Sequence, residues 1–518
     1  MQPKKPQKMV KSSASISSAR AVNKPIKLSV PKLVKTKPSK PASDTIIVGL
    51  DFGTTYSGVA WAYSRQPDDI ALVTNWGAQL RNCSDLGKVP TQILYDGENM
   101  KHWGYCIPAD ETPLKWFKLL LLRDHDITEE MVNYSQICDT RALLEDTGND
   151  VVTVVAHFLG EIWKHATTSI LKALGPELLQ KSRFHVVITL PAIWPPYAQQ
   201  RKKKAANMSG ILDARSSGET TLGFVPEPEA AALATLKDFA NRSTIKPRDT
   251  MVICDAGGGT VDLISYEIES VDPFVVKECV KGDGGLCGAV FLDQNFLNLI
   301  KEKTGPRPWR DDLLTTFDPV ISKIEALVRR QTDAIRDKYG KPAKYICLVG
   351  GFGQSGSKPW TAICRGAVVR GAALFNPSSI TVDTRIARRS YGTSFIEKFE
   401  RKKKHRVSDR IWLEEEQDWS ADNQMKWFLR EGNDMSSKNP VREKYYRAYA
   451  ANEEEIEPIV ETIYVCSAFP PPQGHKTNSR EAMRDHMDTR CRYRVATNFH
   501  KLKWRTLSQV GIRNPDDL

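Results

Sequence analysis

Two carboxylates in this chain each end an apolar run and are each followed by glycine and threonine. Asp51 closes Ile46-Ile47-Val48-Gly49-Leu50 and precedes Phe52-Gly53-Thr54-Thr55-Tyr56; Asp255 closes Met251-Val252-Ile253-Cys254 and precedes Ala256-Gly257-Gly258-Gly259-Thr260. A turn of this composition aims several backbone N–H groups into one concavity, and such nests bind anions without a formal positive charge. Gly53 lets the backbone come close, the Thr54 and Thr55 hydroxyls add donors, and an aspartate at the strand end can hold a hydrated Mg2+ beside the anion. A single Asp-x-Gly-Thr turn is more often only a turn. Two of them, far apart in sequence, can grip one polyphosphate from both sides, with Asp51 and Asp255 facing each other across a metal.

Three further places could contribute chemistry. Glu227 stands between Pro226 and Pro228, so its backbone is fixed, although acids at a helix start often only complement the dipole. Lys115 and Lys118 interrupt the apolar stretch Leu114 to Leu122, and a lysine there either snorkels from a core segment or is held inside for use. Gly350, Gly351 and Gly353, with Gln354, come after the apolar run Tyr345 to Val349, where glycines permit a flat base or sugar to lie against backbone.

The elements that must position these residues are legible from periodicity. Each aspartate turn reads as the bend of a β-hairpin, with further short strands in Trp61 to Val73 and Thr91 to Tyr95. Val151 to Leu174 has apolar residues at helical spacing, and Phe184 to Ala192 is a buried strand ending at Pro191. A basic helix comes next, with Arg201, Lys202, Lys203 and Lys204 expected on a solvated face. Leu222 to Leu233 reads as a strand, a Pro-flanked turn and an Ala-rich helix opening at Glu229. Tyr345 to Val349 reads as another buried strand.

At 518 residues there is room for two to four domains, and no apolar run approaches the length of a membrane span. The formal charge of +12 is concentrated in residues 1–44, where eleven lysines and arginines face one acid, Asp44. That tail is rich in Lys, Ser and Pro and is expected to be disordered. It leaves a nearly neutral body, so nucleic acid is not expected as a partner except through the tail. Nuclear import, an acidic-surface contact and a transit role are alternatives to a plain solvated tail. The ten cysteines show no Cys-x-x-Cys and no metal-ligand spacing; Cys254 and Cys347 sit in strand-like runs as buried thiols would, which fits a reducing, cytoplasmic or nuclear location.

The motifs Asp-Phe-Gly-Thr-Thr-Tyr-Ser-Gly (51–58), Val-Ile-Thr-Leu-Pro-Ala (187–192), Val-Pro-Glu-Pro-Glu-Ala-Ala-Ala (225–232), Asp-Ala-Gly-Gly-Gly-Thr-Val-Asp (255–262) and Gly-Gly-Phe-Gly-Gln-Ser (350–355) occur in that order. As a set they resemble the actin, hexokinase and seventy-kilodalton heat-shock ATPase superfamily, and within it a divergent branch of the heat-shock chaperones. The resemblance covers residues 45 to about 376. It implies an α/β fold with two ribonuclease-H-like lobes of the actin-like ATPase type (45–240 and 241–376), closing over Mg-ATP. A mixed α+β or β-rich region, 377–518, comes after them in the place of a substrate-binding domain.

Carried over residue by residue, the resemblance implies that Gly53, Thr54, Thr55 and Tyr56, with Gly257, Gly258, Gly259 and Thr260, contact phosphates. Asp51 and Asp255 hold Mg2+ through water, Glu227 sits near the attacking water, and Asp262 lies beside the second phosphate loop. Lys118, rather than Lys115, takes the lysine position beside the γ-phosphate. Pro191 falls where the family relays lobe closure to its substrate domain, but the segment Trp194-Pro195-Pro196 just beyond it departs from the family's pattern. Client polypeptides and co-chaperones are the implied partners, with no membrane.

Two departures are as informative. After Leu286 to Phe291 the family continues into a subdomain that clamps adenine and ribose; here only a short helix and a Pro-rich link precede the next helix, Phe317 to Gln331. After Ser355 the family has a helix and a strand, whereas only Gly356 to Cys364 separate it from Arg365-Gly366-Ala367-Val368-Val369-Arg370. Losing that strand leaves a sheet edge unpaired. The expectation is an ATP-driven chaperone-like hydrolase with weakened nucleotide binding, or a chain shortened by splicing or in the gene model. The alternatives are a non-hydrolysing nucleotide-sensing scaffold and, with Asp262 as base, a small-metabolite kinase.

Overall fold

The computed structural model describes residues 20–21, 44–77, 85–127, 135–192, 194–239, 245–302, 309–352, 357–375, 379–403, 405–413, 417–436, 439, 441–446, 459–474, 487–495 and 508–511. Most of the predicted basic tail lies outside them. The chain divides into two compact units, Val34–Arg385 and Met1–Leu33 with Ile386–Leu518. It is a mixed α/β protein with several sheets.

The first sheet of Val34–Arg385 is built on the hairpin of Thr45–Asp51 and Tyr56–Tyr63, which pair antiparallel from Ile46↔Tyr63 to Asp51↔Gly58. Arg183–Leu190 runs parallel to Thr45–Asp51, and Thr221–Pro226 runs parallel to it in turn. Gln66–Leu72 and Lys88–Pro90 both pair with Tyr56–Tyr63. The second sheet repeats this grammar. Thr250–Ala256 and Val261–Val271 form the hairpin, Phe274–Gly285 continues it antiparallel, Thr381–Ile386 adds a parallel strand, and Tyr345–Val349 lies parallel to Thr250–Ala256 on the other side.

The repetition is incomplete on one side. Beyond the aspartate-bearing strand the first sheet has two parallel strands; among the described residues the second has one, so Tyr345–Val349 is an edge. Ile346 and Leu348 on it are exposed, which corrects the expectation of a buried strand, and Cys347 is half-buried rather than buried. The physical reason is the missing neighbour: the helix Ser357–Ala372 begins at once after the third glycine turn, leaving no length for another strand.

Helix Val151–Leu174 covers one face of the first sheet. Asp150 caps it by accepting from the Thr153 N–H at 2.6 Å, and its apolar stripe (Val155, Phe158, Leu159, Ile162) is buried with Val48, Leu50 and Phe184. The opposite face is covered by Ser357–Ala372: Cys364, Val368 and Ala372 pack on Ile47, Ala60 and Ala62. That helix also packs on Glu227–Phe239 so closely that a Cβ at Gly366 would lie 1.6 Å from the Ala230 carbonyl oxygen. Glu227–Phe239 opens two residues earlier than expected, because Pro228 is compatible with the first turn and no separate turn intervenes.

Helix Pro196–Met208 corrects another expectation. Arg201 and Lys203 remain accessible, but Lys202 is 0% exposed. It shares a helix face with Ala198, Ala205 and Ala206, all buried, and the helix packs against Val151–Leu174 and the turn Phe117–Leu121. The helix expected over Phe317 to Gln331 extends over Trp309–Tyr339.

The other unit carries a five-stranded antiparallel sheet in the order Arg410–Leu413, Asp418–Leu429, Ser390–Lys398, Ile459–Cys466, Met487–Val495. Trp412 and Trp419 meet edge to face, their centroids 5.3 Å apart, and the Arg410 guanidinium lies 3.9 Å over Trp419. No helix among the described residues is long and apolar enough to cross a membrane.

Candidate functional site

The two aspartate turns face each other across a cavity of about 510 Å3. Their approach is tight: a Cβ on Gly258 would fall 2.3 Å from Thr55 Oγ1, and one on Gly259 would fall 2.8 Å from Thr54 Oγ1. Only glycine fits at either place without displacing the opposing threonine. Within the first turn, a Cβ on Gly53 would lie 2.1 Å from the Tyr56 carbonyl oxygen.

The second turn is oriented by the segment leading into the next helix. The carbonyls of Gly257, Gly258 and Gly259 accept from the N–H groups of Ala289, Val290 and Gly288 at 3.1, 2.9 and 3.3 Å. In a trans peptide the N–H points opposite to its own C=O. Holding those three carbonyls on the helix side therefore turns the N–H groups of Gly258, Gly259 and Thr260 the other way, toward the cavity. This is the backbone arrangement that an anion nest requires.

Glu227 and Lys118 meet at the floor of the cavity. Lys118 Nζ donates to Glu227 Oε1 at 2.8 Å, with the lysine 2% and the glutamate 5% exposed. Lys118 arrives there because Trp116 takes a left-handed conformation, φ +56°, between the strand Leu114–Lys115 and the 3-10 turn Phe117–Leu121. Such a conformation is unfavourable by about 1–2 kcal/mol for a residue with a side chain, and here it swings Lys118 inward beneath the Trp194 ring, 5.5 Å away. Lys115 stays exposed.

Tyr56, Gly350 and Gly351 also line the cavity, while Gly353 and Gln354 lie outside the described residues. Gly350 is left-handed, φ +85°, and passes so close to Asp255 that a Cβ would lie 2.4 Å from Oδ1. Asp262 does not reach the cavity. It is fully buried behind it, directly opposite Asp255 across the hairpin.

Sequence reasoning missed two cations. Lys88, 4% exposed, donates from Nζ to Asp51 Oδ2 at 2.6 Å, and Thr189 Oγ1 donates to Asp51 Oδ1 at 3.3 Å. Lys202 Nζ donates to the Thr189 carbonyl at 2.6 Å and lies 4.9 Å over the Phe52 ring. Burial works against the Lys88 ammonium, yet the adjoining Asp51 carboxylate outweighs it and the pKa lies above the usual lysine value. Burial and then repulsion from Lys118 push Lys202 well below. Burial, reinforced by the nearby charges of Glu227, Asp262 and Asp51, raises Asp255 well above the carboxylate range. Nothing in the sequence marks Lys88; Lys202 could have been found from its spacing to Ala198, Ala205 and Ala206.

No protein-family model matches the chain. Among curated proteins it is 26% identical over 346 residues to Heat shock 70 kDa protein 12B of Homo sapiens, across 53% of this chain and 47% of that one. It is 26% identical over 269 residues to Chaperone protein dnaK of Guillardia theta, across 49% and 38%. To Chaperone protein HscA of Proteus mirabilis it is 26% identical over 273 residues, across 51% and 39%. The chain is thus similar to Hsp70-family proteins at about a quarter identity over about half of its length. It spans less than half the length of each of these three relatives.

The residues of this cavity fit a metal-bound polyphosphate, with one qualification of chemistry. Asp255 Oδ1 is buried without a hydrogen-bond partner, and Asp255 lines the cavity, so this oxygen is available to a cation that would draw off its proton. Asp51, by contrast, has a partner on each oxygen. Among the described residues no group of three or more His, Cys, Asp or Glu could hold a metal, so a divalent ion would depend on Asp255, water and the phosphates themselves. At the other end of the cleft, helix Ala289–Glu302 is succeeded, among the described residues, directly by Trp309–Tyr339.

Proposed function

We propose that the two sheets are the lobes of an actin-like ATPase, and that the cleft binds ATP with Mg2+ and hydrolyses it slowly. Lobe closure would be coupled to binding of client polypeptides by residues 377–518, with co-chaperones as further partners. The observation that carries this reading is the opposition of the two glycine turns over the Lys118–Glu227 pair. In this reading Thr54, Thr55 and the N–H groups of Gly258, Gly259 and Thr260 cradle phosphates. Asp255 and, only through intervening water, Asp51 would hold the Mg2+, which would supply charge neutralisation at the phosphoryl group. Glu227 orients water, and Lys118 is placed to meet the terminal phosphate once released from its carboxylate. Phosphoryl transfer needs little else than such positioning and charge neutralisation.

A second reading, a nucleotide sensor that does not hydrolyse, is favoured by the shortened second sheet and by the shortness of the link between Glu302 and Trp309, six residues. Calorimetry with ATP alongside phosphate release, for the wild type and Glu227→Ala, separates the two. Binding with turnover that falls in Glu227→Ala supports the ATPase; binding without turnover supports the sensor. No binding at millimolar ATP would sink both.

A further inference from the structure

We propose that Lys88 is a resident cation of the cleft, so that this chain holds the terminal phosphates of a nucleotide with little dependence on a divalent metal. The inference rests on the reading of the cleft as a nucleotide site and deepens it. Lys88 is placed by main-chain pairing, not by chance of rotamer: Lys88–Pro90 pairs with the hairpin itself, Gly58↔Lys88 and Tyr56↔Pro90. Its stem runs over Gly58, where a Cβ would lie 2.9 Å from Lys88 Cγ, and Tyr105 Oη donates to its carbonyl at 3.2 Å.

The ammonium therefore sits at a fixed point beside Asp51, on the wall of the cavity that the phosphate turns also line. Of the two strand-end aspartates, Asp51 is already neutralised by a charge the protein carries, and its remaining oxygen accepts from Thr189. Only Asp255 is left with an unpartnered oxygen. A cleft with two bare carboxylates would repel a polyphosphate until a divalent ion bridged them; with one of them paired, much of that repulsion is gone and a positive charge faces the incoming phosphates. The lysine has three donors, so it can bind a phosphate oxygen without leaving Asp51.

The test is calorimetry of ATP binding to the full chain over a Mg2+ series ending in EDTA, on the wild type and on Lys88→Met, which keeps the stem and removes the charge. The wild type is expected to bind in EDTA within about tenfold of its Mg2+ affinity, and Lys88→Met to lose at least about a further tenfold in EDTA but less in saturating Mg2+. Wild-type binding that requires Mg2+ overturns the inference while leaving the nucleotide site intact, and this arm needs no variant to fold. Equal losses for Lys88→Met in both conditions also overturn it. Absence of wild-type binding in either condition removes the nucleotide site and the inference together.

Discussion

Lys118 and Glu227 form a buried ion pair, the lysine 2% and the glutamate 5% exposed. Removing one partner leaves the other uncompensated, a loss of about 3–5 kcal/mol in comparable pairs, whereas removing both is far milder. Lys118→Met is therefore expected to destabilise Val34–Arg385 by about 3 kcal/mol, and Lys118→Met with Glu227→Gln by clearly less than the sum of the single changes. Urea unfolding of the four proteins in the cycle measures this; additive losses would show that the pair is not coupled. The pair also explains what the sequence could and could not reveal here. Glu227 is marked by its two prolines, but Lys118 and Lys115 are distinguishable only by resemblance, because the left-handed Trp116 that separates their fates has no signature in composition.

Among the elements, the strands and the long helix are legible because their burial tracks the simplest periodicities. Thr45–Asp51, Arg183–Leu190 and Val151–Leu174 lie where the apolar patterns put them. Lys202 is not, since four consecutive basic residues hide which one of them faces inward. Strand Arg183–Leu190 carries a second buried base. His185 bonds through Nδ1 to the Thr221 hydroxyl at 2.8 Å, and burial, helped by Arg370, lowers its pKa to about 4. The unfolded chain takes up this proton near 6.5, so between about pH 6.5 and 4 it binds more protons than the fold. Stability from this site is complete above that window and drains away as the pH falls through it. Thermal melts across the window should show a slope that is shallower in His185→Gln; an unchanged slope would assign the acid sensitivity elsewhere.

For the whole unit, the consequential asymmetry is the open side of the second sheet. Ile346 and Leu348 stand exposed on an edge strand beside Ile321 of the long helix, around an apolar groove of about 550 Å3. Such an edge invites pairing with another chain, and lysine is a common means of blunting it. Ile346→Lys with Leu348→Lys should leave stability within about 0.5 kcal/mol and reduce self-association in sedimentation or light scattering. Unfolding of the variant would show that this face is covered in solution. The shortened segment is visible by counting residues against the resemblance, but the side of the sheet that it bares requires the strand order.

The same segment leads into Ser357–Ala372, the helix whose Cys364, Val368 and Ala372 cover Ile47, Ala60 and Ala62, residues made some three hundred positions earlier. During synthesis the first sheet is therefore complete long before its second cover exists, and it must wait on the ribosome with one apolar face bare. A protein resembling chaperones thus has, in its own birth, an interval during which it presents the kind of surface a chaperone holds.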